Sequence, residues 1–189
     1  MKFENIMFEN GDDNAEIKVI DFGLSKKFVD KNMGPMHDGV GTLYSMSPQV
    51  LMGVYTSQAD MWSVGVITYM LLSSHRPFYH RRAAVMKDRI MRADYNFSKD
   101  YWNVVSDEGK DMIHELLVVN PKLRMNADEA LQHTWLSKEF KLSDRMADQT
   151  TADAVQDNLV HYKDTSALKK IALNVSYERL FSLLRSEKN

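Results

Sequence analysis

Cysteine is absent from these 189 residues, which excludes disulfides and any metal centre built on thiolates. That absence suits a reducing compartment. The start also lacks a charged n-region ahead of an apolar core, so no secretory leader is visible and a cytoplasmic location is expected. An excess of one charge sign is missing too. Lys+Arg 24 against Asp+Glu 26 leave a formal net charge of −2, which gives no electrostatic case for nucleic acid or an anionic membrane. No apolar run reaches the about 20 residues that a membrane-spanning helix needs. The histidines, at 37, 75, 80, 114, 133 and 161, show no His-x-x-x-His or carboxylate-linked spacing, so surface or core roles are expected rather than zinc ligation. The acidic run 9–14 lacks the alternating ligands and sixth-position glycine of a calcium loop, and reads as a solvated turn.

What is present is enough for a core. An apolar content of 44% supports one domain with an appendage, and thirteen methionines suit an adaptable interior. Two short apolar runs, Asn5–Phe8 and Ile17–Ile20, flank a polar segment with Asn10-Gly11 in it, the pattern of a small hairpin. Such a hairpin holds Asn5 at the entrance of one strand and Asp21 at the exit of the other. An amide oxygen and a carboxylate held close, with Lys2 three residues before the amide, suit hard divalent cations and phosphate oxygens. Taken alone, Asp21-Phe22-Gly23 reads equally as a strand ending in a turn.

Residues 24–48 are aperiodic and carry Gly34-Pro35, Gly39 and Gly41; a loop of that length is functional or disordered. The stretch 59–73 is apolar nearly all round, the mark of a helix buried on every side. Asp60 at its start is placed to cap it and to favour its dipole. After a break at Arg76-Pro77-Phe78-Tyr79 comes a mixed helix over 82–92, then an irregular aromatic stretch, 95–102. Ser106 reads as the N-cap of a helix over 107–119 with Met112, Ile113, Leu116 and Leu117 on one face. Asn126 and Glu129 open a last short helix ending near 133–136. Residues 143–157 carry four Asp against one Arg and read as a solvated linker. In 158–174 and beyond, Leu168, Ile171, Ala172 and Val175 recur at helical spacing among Lys163, Lys169 and Lys170. A basic amphipathic helix of that kind either binds a partner or packs on its own domain.

Lys2-Phe3-Glu4-Asn5 followed by Asp21-Phe22-Gly23 resembles the catalytic-loop and magnesium-loop signature of eukaryotic protein kinases, and the likeness extends along the chain. The resemblance implies a mainly α fold: a kinase C-terminal lobe with a small N-terminal β-hairpin over 1–140, a linker over 141–157 and a helical tail over 158–189. It implies ATP and Mg2+ as cofactors. Asn5 and Asp21 would each hold a magnesium ion, Lys2 would approach the transferred phosphate, and Glu4 would lie near the ribose or a basic substrate residue. Phe22 and Gly23 belong to the same cofactor loop. Residues 24–48 would be the activation segment, closing at Ser47-Pro48-Gln49. Thr42 would face the substrate and hydrogen-bond the catalytic Asp, which falls immediately before Met1 and is not in this sequence. Gln49 stands where the family has a glutamate paired with a distant arginine, matched here by Arg124. Asp60 would tether the backbone of the catalytic loop. Residues 26–41 contain no Ser, Thr or Tyr, and Asp38 precedes Thr42 by four, so activity is expected not to depend on activation-loop phosphorylation.

The wording from Asn158-Leu159 to Ala167–Leu173 resembles the autoinhibitory junction of calcium-dependent protein kinases. Trp102, Thr134-Trp135-Leu136 and Met52-Gly53-Val54-Tyr55 point to the same branch of the calcium/calmodulin-dependent group. In that family the junction blocks the substrate cleft until a calmodulin-like domain binds calcium. The resemblance therefore implies a serine/threonine kinase acting on protein substrates, with 158–185 as a site for calmodulin or a calmodulin-like domain. The glycine-rich loop, the nucleotide-lobe lysine with its glutamate, and the catalytic Asp are not in the chain. Losing a general base alone costs about 10²–10⁴ in rate, so this piece by itself is expected to be inactive and to be a truncated part of a longer kinase. A bare lobe would also expose apolar surface around Ile6, Met7 and Phe22. The alternative is a non-catalytic module that docks a substrate or a calmodulin-like partner.

Overall fold

The computed structural model describes residues 1–10, 15–25, 36–37 and 41–137. Asp38, the linker 141–157 and the tail 158–189 lie outside them.

The chain opens with a single 3₁₀ turn, Phe3–Asn5, that leads into a hairpin of β1 (Ile6–Phe8) and β2 (Ile17–Val19). The strands pair antiparallel, with Ile6 opposite Val19 and Phe8 opposite Ile17. The Ile20 N–H donates to the Asn5 carbonyl at 2.8 Å, closing the ladder at its open end. This is the one sheet among the described residues; apart from an isolated antiparallel bridge between Met36 and Tyr55, the rest of them are helical or irregular. The mainly helical lobe with an N-terminal hairpin is what the sequence led one to expect.

A short helix, α1 (Pro48–Met52), precedes the central one, α2 (Gln58–Ser73). Along α2, Trp62, Val66, Tyr69, Met70 and Leu72 are all buried. Each such side chain contributes about 1.5–3 kcal/mol of burial, so α2 is the spine of the lobe. Its start differs from expectation. Ser57 occupies the N-cap and Asp60 stands in the first turn, where its charge favours the dipole without capping the backbone.

The mixed helix is α3 (Ala83–Arg92), and α4 (Asp107–Leu116) packs across α2. Gly65 permits that crossing: a Cβ there would sit 2.8 Å from Leu116 Cβ and 2.9 Å from Leu117 Cδ2. Ser106 caps α4 by accepting the Gly109 N–H at 3.2 Å. The helix ends at Leu116 rather than near 119, because the carbonyls that follow are turned outward to side chains. Val118 faces Arg124 and Val119 faces Gln49. The two last helices are α5 (Ala127–Gln132) and α6 (Thr134–Ser137). Asn126 and Glu129 form a complete capping box, each side chain accepting the other's backbone N–H. His133 has extended backbone, so the single terminal helix expected there is broken in two.

An aromatic cluster fills the space between α2, α4 and the 95–102 stretch. Trp62 stacks on Phe78 at 5.4 Å, and Trp102 lies 4.7 Å from Tyr69 and 4.6 Å from Phe97. No helix among the described residues is long and apolar enough to cross a membrane.

Candidate functional site

A cavity of about 510 Å³ lies where the hairpin, the 41–47 loop, α1 and the start of α2 meet. Lys2, Asn5, Asp21, Phe22, Thr42 and Asp60 line it. Six of the residues singled out from sequence thus share one space, although Lys2 and Asp60 are far apart in the chain. Glu4, Gly23, Gln49 and Arg124 are not among its lining.

Each position has a local cause. Asp21 follows β2 with φ of 63°, left-handed backbone that aspartate tolerates because its side chain bonds locally. Its Oδ1 accepts the Gly23 N–H at 3.3 Å, and the residue is exposed. Asn5 spends its backbone on the turn and the ladder. Its side-chain amide makes no hydrogen bond among the described residues. The Met1 backbone nitrogen donates to Asp60 Oδ1 at 2.7 Å, so the carboxylate of α2 holds the segment that carries Lys2 and Asn5. Thr42 is exposed at the start of a 3₁₀ turn, Leu43–Ser45, and its hydroxyl makes no cap bond. Phe22 is 66% exposed, as are Met7 and Leu24 in large part, which matches the apolar surface expected of this face; Ile6 is half-buried.

Glu4 has a different surrounding from the ribose or substrate expected beside it. The Tyr44 hydroxyl donates to its carboxylate and accepts the Phe3 N–H at 3.3 Å. The Arg76 guanidinium lies over the Tyr44 ring at 4.7 Å. Burial first, and then the Glu4 carboxylate, push the Tyr44 phenol far above its ordinary pKa. Neither Tyr44 nor Arg76 was singled out from sequence. They are 40 and 72 residues from Glu4 in the chain, and no local pattern links them.

Gln49 and Arg124 meet on the far side of α1. Arg124 Nη2 donates to Gln49 Oε1 at 2.8 Å, and the guanidinium also donates to the carbonyls of Val118 and Gln58 at 2.9 and 2.6 Å. Burial pulls the Arg124 pKa down to about 10, which leaves it charged at neutral pH.

The oxygen donors around Asn5 and Asp21 fit magnesium with phosphate: one free amide oxygen and one exposed carboxylate, with no imidazole in the lining and only the thioethers of Met1, Met36 and Met46, soft ligands that suit so hard a cation poorly. A second set of ligand types, Asp111, Glu115 and His133, has its atoms within 4.8 Å of one another. It does not fit a metal. His133 Nδ1 accepts the Trp135 N–H at 3.2 Å, so Nε2 carries the proton and points it toward Asp111, 3.5 Å away. On the other side of the hairpin a groove of about 340 Å³ runs between Phe3, Met7, Val64, Leu71 and Leu136. Its lining is mainly apolar, with Asp60 and Thr68 as its polar side chains.

Residues 1–136 match the protein kinase domain. The chain belongs to the protein kinase family. It is 36% identical over 180 residues to calcium-dependent protein kinase 4 of Arabidopsis thaliana and 37% identical to calcium-dependent protein kinase 6 of the same plant. Against calcium-dependent protein kinase 12 of Oryza sativa subsp. japonica the identity is 38% over 181 residues. Each match covers 95% of this chain but 35%, 32% and 32% of the relative, so the chain spans about a third of their length. The likeness to these kinases runs well past residue 136, into the segment that follows the lobe.

Proposed function

We propose that this chain is the substrate-side lobe of a serine/threonine protein kinase of the calcium-dependent type, which moves the terminal phosphoryl group of ATP to a protein hydroxyl. The observation that carries the reading is the convergence of Lys2, Asn5, Asp21 and Thr42 on one cavity, in a chain of the kinase family. Phosphoryl transfer depends on positioning and charge stabilisation rather than covalent chemistry, and the parts present are of that kind. Asn5 and Asp21 would hold the metal through oxygen, Lys2 would lie against the phosphate, and Thr42 would border the acceptor. Magnesium bound there would offset the negative charge of the phosphate. Asp60 positions this segment through the Met1 backbone nitrogen.

The experiment is a titration of the 189-residue chain with Mn2+ and ATP, followed by paramagnetic broadening of backbone amide signals. Broadening centred on Asn5 and Asp21, and abolished by Asp21→Ala, is expected. Broadening centred elsewhere rejects the assignment. The similarity to kinases named as calcium-dependent adds one further part: residues 158–185 bind a calmodulin-like domain. A peptide of that sequence is expected to bind calmodulin tightly in calcium, and equal weak affinity with and without calcium removes that part alone.

A further inference from the structure

Positive charge is concentrated between His75 and Arg92: Arg76, Arg81, Arg82, Lys87, Arg89 and Arg92 stand against a single acid, Asp88, in a chain of net charge −2. The fold engages only half of them. Arg92 pairs with Asp88 one turn away. Arg89 donates to the Tyr79 carbonyl at 2.9 Å and lies 3.9 Å from Asp94, and Arg76 is stacked on Tyr44. Arg81, Arg82 and Lys87 are exposed and meet no acidic side chain among the described residues. Arg82 is the N-cap residue of α3, with no acid in the first turn. Positive charge there opposes the helix dipole. Folding does not account for their position.

The patch adjoins the proposed phosphoryl-transfer site. α3 packs on α1, and Ser47 and Val50, the N-cap and a residue of α1, line the cavity. One helix, about 10 Å across, separates the two, a span of about three extended residues. Glu4 lies outside the cleft lining, and its carboxylate is already engaged by the Tyr44 hydroxyl beneath the Arg76 charge.

Three unpaired cations decide the class of partner. Polybasic membrane sites use about 4–8 Lys or Arg, and duplex-binding proteins neutralise about 6–10 phosphates. A membrane-lying helix also exposes its large apolar residues, whereas Ile90 of α3 is fully buried and Val85, Met86 and Met91 are partly so.

We propose that Arg81, Arg82 and Lys87 form a docking surface for an acidic stretch of the protein substrate, lying across α1 from the acceptor site. The inference rests on the kinase reading above, and its test is independent of phosphoryl transfer. A fluorescent peptide of alternating Glu and Ala, with no Ser, Thr or Tyr, is titrated against the 189-residue chain by anisotropy. The counter-probes are a Lys-Ala peptide of equal length, vesicles of phosphatidylserine with phosphatidylcholine, and a single-stranded oligonucleotide. The acidic peptide is expected to bind, to weaken several-fold as salt rises from about 0.05 to 0.2 M, and to lose about tenfold in affinity with Arg81→Glu, Arg82→Glu and Lys87→Glu combined. Arg81→Lys with Arg82→Lys is expected to retain most of the binding. All these side chains are exposed, so circular dichroism of the charge-reversed chain should match the native. Equal binding of the Lys-Ala peptide, stronger binding of vesicles or oligonucleotide, or an unchanged affinity in the charge-reversed chain overturns the proposal. If the acidic peptide binds as expected while Mn2+ and ATP do not, the docking surface stands and the phosphoryl-transfer reading fails.

Discussion

Arg124 Nη2 donates to Gln49 Oε1 at 2.8 Å, both residues being buried, and Gln49 Nε2 donates in turn to the Val119 carbonyl at 2.7 Å. The pair ties α1 to the turn between α4 and α5. The guanidinium sits in a cage of neutral acceptors, with the Trp62 ring 5.1 Å from its carbon.

Gln49→Ala removes an acceptor from Arg124 and a donor from Val119, so a loss of about 2–3 kcal/mol is expected. Gln49→Glu is the more informative change. It adds a charge beside the guanidinium, but turns an oxygen toward the Val119 carbonyl where a donor now sits. The two effects oppose, and stability within about 1 kcal/mol of the native chain is expected, because a buried ion pair gains little beyond its desolvation cost. Urea unfolding of both variants checks this, and a large stabilisation by Gln49→Glu would show that Val119 does not need the donor.

Gly65→Ala tests the crossing of α2 and α4. The new methyl meets Leu116 Cβ at 2.8 Å, which is backbone-proximal and has little room to move. A loss of about 1–3 kcal/mol by overpacking is expected, although alanine is the better helix former. A thermal melt that rises instead would mean that the helices separate freely.

Local signals carried the readable part of this fold. Ser106 and the Asn126–Glu129 pair were legible because a cap acts over three residues, and α2 because an all-round apolar helix has one place to go. α1 escaped notice although its signals are local: Ser47 caps it, Pro48 opens it, and Gly53 ends it at φ of 77°. A five-residue helix has no periodicity to detect. Asp60 had the opposite problem. Its position near a helix start suggested a cap, but a tertiary partner, the Met1 backbone nitrogen, has its carboxylate. In the candidate site, the motif spacing marked Lys2, Asn5 and Asp21, whereas Tyr44 and Arg76 come to Glu4 only through folding. The basic stretch 75–92 lay open in the sequence as six cations in eighteen residues; the whole-chain charge balance masked it.

Tyr44→Phe removes the donor to Glu4 and the acceptor of the Phe3 N–H. A loss of about 1–2 kcal/mol is expected. The more specific outcome is faster amide hydrogen exchange at Phe3, Glu4 and Asn5, because the segment loses its tie to the 43–45 turn. Unchanged protection there would mean that the Met1–Asp60 contact alone holds the segment.

Alkaline pH sets the buried phenols against Arg124. Burial pushes the Tyr69 hydroxyl up to about 12, and raises Tyr44 and Tyr95 further. In the unfolded chain all three release protons near pH 10. Between pH 10 and 12 the folded state therefore binds more protons at these sites, and stability falls as pH rises. Arg124 works in the opposite direction: its folded pKa of about 10 lies below its unfolded value, so its burial costs less as pH climbs through the same window. Three phenols outweigh one guanidinium. The lobe is expected to unfold between pH 10 and 12, with phenolate absorbance from these rings appearing in step with the loss of helical circular dichroism. Full phenolate absorbance with the helical signal intact would show the rings open to solvent, and a stability that increases over that range would show Arg124 dominant.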